Sequence, residues 1–212
     1  MAKVAKKGML ISFEGGEGGG KTTQIVRIRE RLSQAGYDVI AVREPGGTAV
    51  GEQIREVVLS SKNSGISFTA EVLLFQAARA QIYREIVLPS LKAGKVVLMD
   101  RTRDSSVVYQ GVVRKFGKEL IDQLNNISTQ NTYPDVTFLL DVPVEMGLDR
   151  RSKAGEVNRL DMEAKDFHQQ VRDAYLDLAK SDSSGRWVTV DATQPIEKVE
   201  AELWKHIESQ LK

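Results

Sequence analysis

Gly15-Gly16-Glu17-Gly18-Gly19-Gly20-Lys21-Thr22 stands between the apolar run Met9-Leu10-Ile11-Ser12-Phe13 and a segment with Ile25, Ile28 and Leu32 on one helical face. The octapeptide fits G-x-x-x-x-G-K-[ST], read as strand, phosphate-wrapping loop and helix. Glycine lets the backbone approach an anion closely, and the positive end of the following helix favours negative charge. Lys21 would reach the outer phosphates, and the Thr22 hydroxyl would reach a magnesium ion. Gly15, Gly16, Glu17, Gly18, Gly19, Gly20, Lys21, Thr22 and Thr23 are therefore the candidate nucleotide-binding residues.

Outward from this loop, apolar runs alternate with helical patterns. The chain of 212 residues suits one α/β domain over 1–212. Strands are expected at Met9–Phe13, Val39–Val42, Lys95–Met99, Val136–Leu140 and Trp187–Val190. This alternation predicts a five-stranded parallel sheet with helices on both faces. Residues 69–93 read as one long helix closed by Gly94. On it Glu71, Phe75 and Arg79 fall at i, i+4 and i+8, so acid, ring and guanidinium share a face. From spacing alone, Phe75 is equally a core residue or a flat surface for a nucleobase.

Several predicted strands deliver polar residues at one rim, where open α/β sheets bind ligands. Arg43-Glu44-Pro45-Gly46-Gly47-Thr48 follows the second strand, and Asp100-Arg101 follows the third. An apolar strand ending in Asp is the arrangement that holds a magnesium ion or its waters, so Asp100 joins Thr22 as the candidate metal pair. Arg150, Arg151, Lys153 and Arg159 bracket a loop around Gly155, which reads as a closing lid over about 150–160.

Composition narrows the possibilities. Thirty Lys and Arg against 29 Asp and Glu leave a net charge of +1, so no general attraction for nucleic acid or anionic lipid is expected. The absence of cysteine excludes thiolate metal sites and cysteine nucleophiles. His168 and His206 belong to no ligand-spaced pair and read as helix-surface residues. No apolar run approaches the ~20 residues of a membrane span, and the basic Met1–Lys7 reads as a short solvated terminus. A cytoplasmic location without a membrane partner is the expectation.

A phosphate loop with Mg-site residues does not separate hydrolysis from transfer. Arg43 and Arg101, at neighbouring strand ends, suggest a second phosphate-bearing partner and hence a kinase. The chain resembles the thymidylate kinase family over nearly its full length. The resemblance rests on F-E-G-G-E-G-x-G-K-T-T at 13–23, R-E-P-G-G-T at 43–48, Asp100-Arg101 with Ser105 and Tyr109-Gln110-Gly111, and Pro134-Asp135 with Leu140-Asp141-Val142. It implies a P-loop nucleoside monophosphate kinase-like fold, transfer of the ATP γ-phosphoryl to thymidine monophosphate, magnesium, and a homodimer.

By the same resemblance Phe75 stacks on thymine, Arg79 donates to a thymine carbonyl, and Tyr109 packs where a ribose 2′-hydroxyl would lie. Glu17 stands near the sugar 3′-hydroxyl, and Arg43, Arg101, Ser106 and Gln110 complete the acceptor site. Lys21 and Arg101, with the lid residues Arg151 and Arg159, are the catalytic candidates, the last two for stabilising transition-state charge. Thr102, Val108 and Ser106 depart from residues common in the family at those places. Two rivals remain: another nucleoside or nucleotide kinase, and a nucleotide-dependent switch or binding module. The Arg43 and Arg101 pair opposes a nucleoside acceptor, and no guanine-reading Asn/Thr-Lys-x-Asp stretch supports a switch.

Overall fold

A computed structural model describes residues 8–153, 155 and 158–211. The Met1–Lys7 terminus, and Ala154, Glu156 and Val157 of the expected lid loop, lie outside the described residues. Five strands, β1 (Met9–Glu14), β2 (Val39–Arg43), β3 (Val96–Asp100), β4 (Val136–Asp141) and β5 (Trp187–Asp191), form one sheet in the order β2-β3-β1-β4-β5. Every adjacent pair is parallel.

Period-two alternation divides β1 between two cores. Met9, Ile11 and Phe13 pack with Ile25, Ile28 and Leu32 of helix α1 (Lys21–Gln34). Val199, Leu203 and Ile207 of the C-terminal helix (Ile196–Leu211) close this side. Leu10 turns to the opposite face, against Ile82, Tyr83 and Val87. There β4 presents Leu139 to Val108, Phe167, Val171 and Tyr175. Burial of β1, β3 and β4 on both faces explains their nearly continuous apolar reading, whereas the edge strands β2 and β5 are only partly buried.

Helix α2 (Ala49–Leu59) is capped by Thr48, whose hydroxyl accepts the Gly51 N–H at 2.9 Å. The long helix expected over 69–93 is three pieces: α3 (Phe68–Ile82), a π-helical stretch at Tyr83–Val87, and α4 (Leu88–Lys92). Pro89 gives the interruption its physical reason, because it donates no N–H to the preceding turn and suits the start of a new helix. After β3, the short helix α5 (Arg103–Ser106) passes into a second π-helical stretch, Val107–Val113, which carries Tyr109 and Gln110.

Helices α6 (Lys118–Thr129), α7 (Val144–Lys153), α8 (Lys165–Lys180) and α9 (Ile196–Leu211) complete the order. His168 corrects the surface reading given to it: it is buried on α8, edge-on to Phe167 at 5.6 Å. Positions 168, 171 and 175 share one helical stripe, which points to the core. His206 is partly buried and lies edge-on to Phe138.

The sheet order puts the site at a topological switch. The chain leaves β1 toward β2 and leaves the adjacent β3 toward β4, so the two outgoing connections run in opposite directions along the sheet. A crevice opens at the carboxyl ends of the strands, where ligands bind in open α/β sheets.

Candidate active site

The loop from Gly15 to Gly20 leaves β1 and feeds α1. Gly18 and Gly20 adopt φ values of +65° and +81°, which a side chain would disfavour. A Cβ on Gly18 would also fall 2.0 Å from the Gly147 carbonyl, and one on Gly147 would fall 2.4 Å from the Glu17 carbonyl. The loop thus leans directly on α7, and neither backbone tolerates a methyl group. Gly147 was missed in the sequence, although a glycine inside a helical segment is itself a signal of close backbone approach.

Lys21 is buried, and its ammonium donates to the carbonyls of Gly15 at 3.1 Å and Gly16 at 2.8 Å. Burial, then the Arg101 cation, lowers its pKa, while Glu17 and Asp100 pull the other way. The Thr22 hydroxyl donates to Asp100 at 2.7 Å, which brings the two expected metal residues together. Register explains the meeting: Asp100 sits opposite Phe13 on β1 and opposite Arg43 on β2.

Arg101 follows immediately in a left-handed conformation, φ 69°, with its N–H bonded to the Phe13 carbonyl at 3.0 Å. That turn aims its side chain back across the loop. Its guanidinium donates to Glu17 at 2.6 Å and to the Gly15 carbonyl at 3.1 Å, and it lies over the Tyr109 ring. Burial works to raise the Glu17 pKa, but the Arg101 cation and then Lys21 outweigh it, and Tyr109 adds a hydrogen bond. The net effect brings Glu17 down to about 2. Glu17 is therefore an ionised acceptor at neutral pH.

Beneath this layer is a cluster outside the candidate site residues. Buried Glu14 accepts from Ser105 at 2.7 Å, from Tyr175 at 2.8 Å and from the Thr102 N–H at 2.7 Å. Burial, followed by repulsion from Asp104, raises the Glu14 pKa. Tyr175 also accepts a hydrogen bond from Arg101 at 3.3 Å, so α8 helps to fix the arginine. A buried glutamate ending β1 was the available clue.

A cavity of about 600 Å³ runs along the rim. On the β5 side it is bordered by Ala192, Gln194, Ile196 and Arg150, whose guanidinium donates to the Ala192 carbonyl. In the middle lie Glu17 through Thr23 and Asp100. The β2–β3 side presents Arg43, Phe75, Arg79, Arg101, Ser106, Tyr109 and Gln110, so seven of the eight expected acceptor residues line this part of the cavity, with Glu17 beside them in the middle.

Their partners differ sharply. Arg43 is half exposed and paired with Glu52 at 2.9 Å. Arg79 is almost fully buried: Nε donates to Glu44 at 2.8 Å, Nη1 to Ser106 and Asn125, and Nη2 to the Thr102 carbonyl. Ser106 therefore meets the cavity as a partner of Arg79. Phe75 is partly exposed and lines the cavity.

The lid arginines separate. Arg151 lines the cavity and is paired with Asp161 at 2.8 Å. Arg159 does not line the cavity among the described residues; it donates to Glu71 at 2.5 Å and to the Val58 carbonyl at 3.0 Å. This differs from the transition-state position expected for it. The cause is Glu71, a carboxylate with 1% of its side chain exposed, which binds the cation across 88 residues of sequence.

A phosphate-wrapping loop at the central strand, a carboxylate on its neighbour and an arginine-bearing wall in the same cavity define a P-loop phosphotransferase of the nucleoside monophosphate kinase class. The thymidylate kinase family model matches residues 13–203, and the chain belongs to the thymidylate kinase family. It is 43% identical to thymidylate kinase of Pelobacter propionicus over 91% of this chain and 90% of the relative. It is 45% identical to that of a Thermoanaerobacter species over 93% and 96%. The crystal structure of thymidylate kinase from Ehrlichia chaffeensis superposes with a TM-score of 0.76 at 34% identity, covering 94% of this chain and 98% of that one. The activity is transfer of phosphate from ATP to thymidine monophosphate, a kinase step of nucleotide biosynthesis.

Proposed function

We propose that the residues of this one domain, 1–212, divide that reaction along the cavity. Residues 15–23 bind the ATP phosphates, with Lys21 on the outer ones. Arg101, aided by Arg43, holds the acceptor phosphate. Phe75, Arg79, Ser106, Tyr109 and Gln110 form the thymine and sugar pocket, and Glu17 faces the sugar. The observation that carries this reading is Arg101: it bonds to the loop at Gly15 and Glu17 while lying over Tyr109 of the acceptor wall. A single fixed cation there draws donor and acceptor phosphates to one place, and alignment is most of what phosphoryl transfer needs.

Thr22 and Asp100 offer a hydroxyl and a carboxylate 2.7 Å apart, and no group of three His, Cys, Asp or Glu gathers among the described residues. That donor set suits magnesium, which prefers oxygen ligands and retains waters and substrate phosphates. When bound there, magnesium would neutralise charge on the phosphate oxygens. Arg151, on the cavity lining, is the lid residue assigned to transition-state charge.

A cytoplasmic homodimer that binds neither nucleic acid nor membrane completes the proposal. No helix among the described residues is long and apolar enough to cross a membrane, and Val50, Val57 and Leu73 give α2 and α3 exposed apolar positions that suit a seam between two copies. Replacing Arg101 by Gln tests the assignment. A large rise in KM for thymidine monophosphate is expected with the KM for ATP little changed; an effect on ATP alone would move Arg101 to the donor site.

A further inference from the structure

Glu71 lies in α3 behind the cavity wall, and its two carboxylate oxygens serve different parts of the site. Oε1 accepts from Gln110 Nε2 at 2.9 Å, and Oε2 accepts from Arg159 at 2.5 Å. Arg114 stands 3.8 Å from Oε1 and is itself paired with Glu163. An ionised carboxylate only accepts hydrogen bonds, so it fixes which end of the Gln110 amide faces it. The amide NH₂ goes to Glu71. The Gln110 carbonyl oxygen accepts no hydrogen bond among the described residues and is the polar atom left to offer the cavity that Gln110 lines.

The other oxygen holds Arg159. Arg159 also donates from Nε and Nη2 to the Val58 carbonyl, and its N–H bonds to the Leu59 carbonyl at 3.0 Å. Its sequence neighbours Asn158 and Leu160 both line the cavity. Seating Arg159 therefore seats the segment that borders the pocket.

We propose that Glu71 is a positioning residue that sets base selection and the seating of residues 158–160 together: it holds the Gln110 carbonyl toward the acceptor base and anchors those residues beside it. The proposal rests on the acceptor pocket assigned above. The ring nitrogen N3 of thymine carries a hydrogen and that of cytosine does not, so a fixed carbonyl rewards the first and leaves the second without a donor. Discrimination by an unsatisfied polar group is stronger than discrimination by shape. A glutamine at 71 would accept or donate, so the Gln110 amide could turn and serve either base.

The test compares wild type with Glu71→Gln, using thymidine monophosphate and deoxycytidine monophosphate as acceptors at saturating ATP. The variant is expected to raise the KM for thymidine monophosphate about tenfold, the scale of a disturbed buried hydrogen bond. It should also contract the ratio of kcat/KM between the two acceptors by about tenfold, with the KM for ATP unchanged. Combined with Arg159→Gln, the loss should be far smaller than the product of the single losses, because both act through one carboxylate. Equal loss for both acceptors, or losses that multiply, would overturn the proposal. If wild type itself fails to prefer thymidine monophosphate, the pocket assignment falls and the proposal with it; if it prefers it and the ratio is unmoved in the variant, the proposal alone falls. Should Glu71→Gln not fold, Gln110→Met combined with Arg159→Gln carries the same test. Those side chains meet through Glu71, and independent losses would deny the coupling.

Discussion

Lys21, Glu17 and Arg101 are the charged side chains gathered at the phosphate loop, and Lys21 and Glu17 each make a separate demand on experiment. Lys21 is the one ammonium in the phosphate loop, and electrostatic clamps of this kind contribute about 3–4 kcal/mol to transition states. Lys21→Ala should therefore lower kcat by about 10²- to 10³-fold while circular dichroism stays native. Activity within tenfold of wild type would remove the clamp from Lys21. Glu17 has its pKa depressed from the ordinary 4.5 to about 2. Its contribution to stability is accordingly complete above about 4.5 and is lost as pH falls from there toward 2. Acid unfolding of Glu17→Gln followed by fluorescence should be less steep with pH in that window than wild type. An identical slope would mean that the Arg101 contact does not hold Glu17 ionised.

At the scale of elements, the contact between the phosphate loop and α7 is the most sensitive. Gly147 and the Glu17 carbonyl leave no room for a Cβ. Gly147→Ala should push the loop out of shape and weaken ATP binding at least tenfold by calorimetry, despite alanine being the better helix former by ~1 kcal/mol. Unchanged ATP affinity would show that the loop is free of the helix. The same elements show what a sequence can and cannot disclose. The strands, the phosphate loop and the strand-end residues Arg43, Asp100 and Arg101 were legible because burial on both faces, glycine patterning and strand termination are local signals. The π-helical stretches were not, since helical periodicity does not distinguish a widened turn from an α-turn. Nor were the partners of Arg159 and His168, because 88 residues separate Arg159 from Glu71 and only the packed α8 tells which stripe His168 joins.

At the scale of the whole molecule, the exposed apolar side chains of α2 and α3 bear on assembly. Leu73 is 56% exposed on α3, and Val50 and Val57 are 48% and 47% exposed on the adjoining α2. Leu73→Arg should convert the proposed dimer to monomer in sedimentation velocity; a wild-type chain that sediments as a monomer would refute the dimer itself. The central claim concerns the chemistry, and the most direct measurement is acceptor-dependent ADP release from magnesium and ATP in a coupled assay. Thymidine monophosphate, deoxyuridine monophosphate, thymidine and no acceptor are compared. Thymidine monophosphate should give the dominant rate, with deoxyuridine monophosphate lower by about 10- to 200-fold, the worth of one methyl group in an apolar pocket. A rate that is highest with thymidine, or the same without any acceptor, would contradict the account.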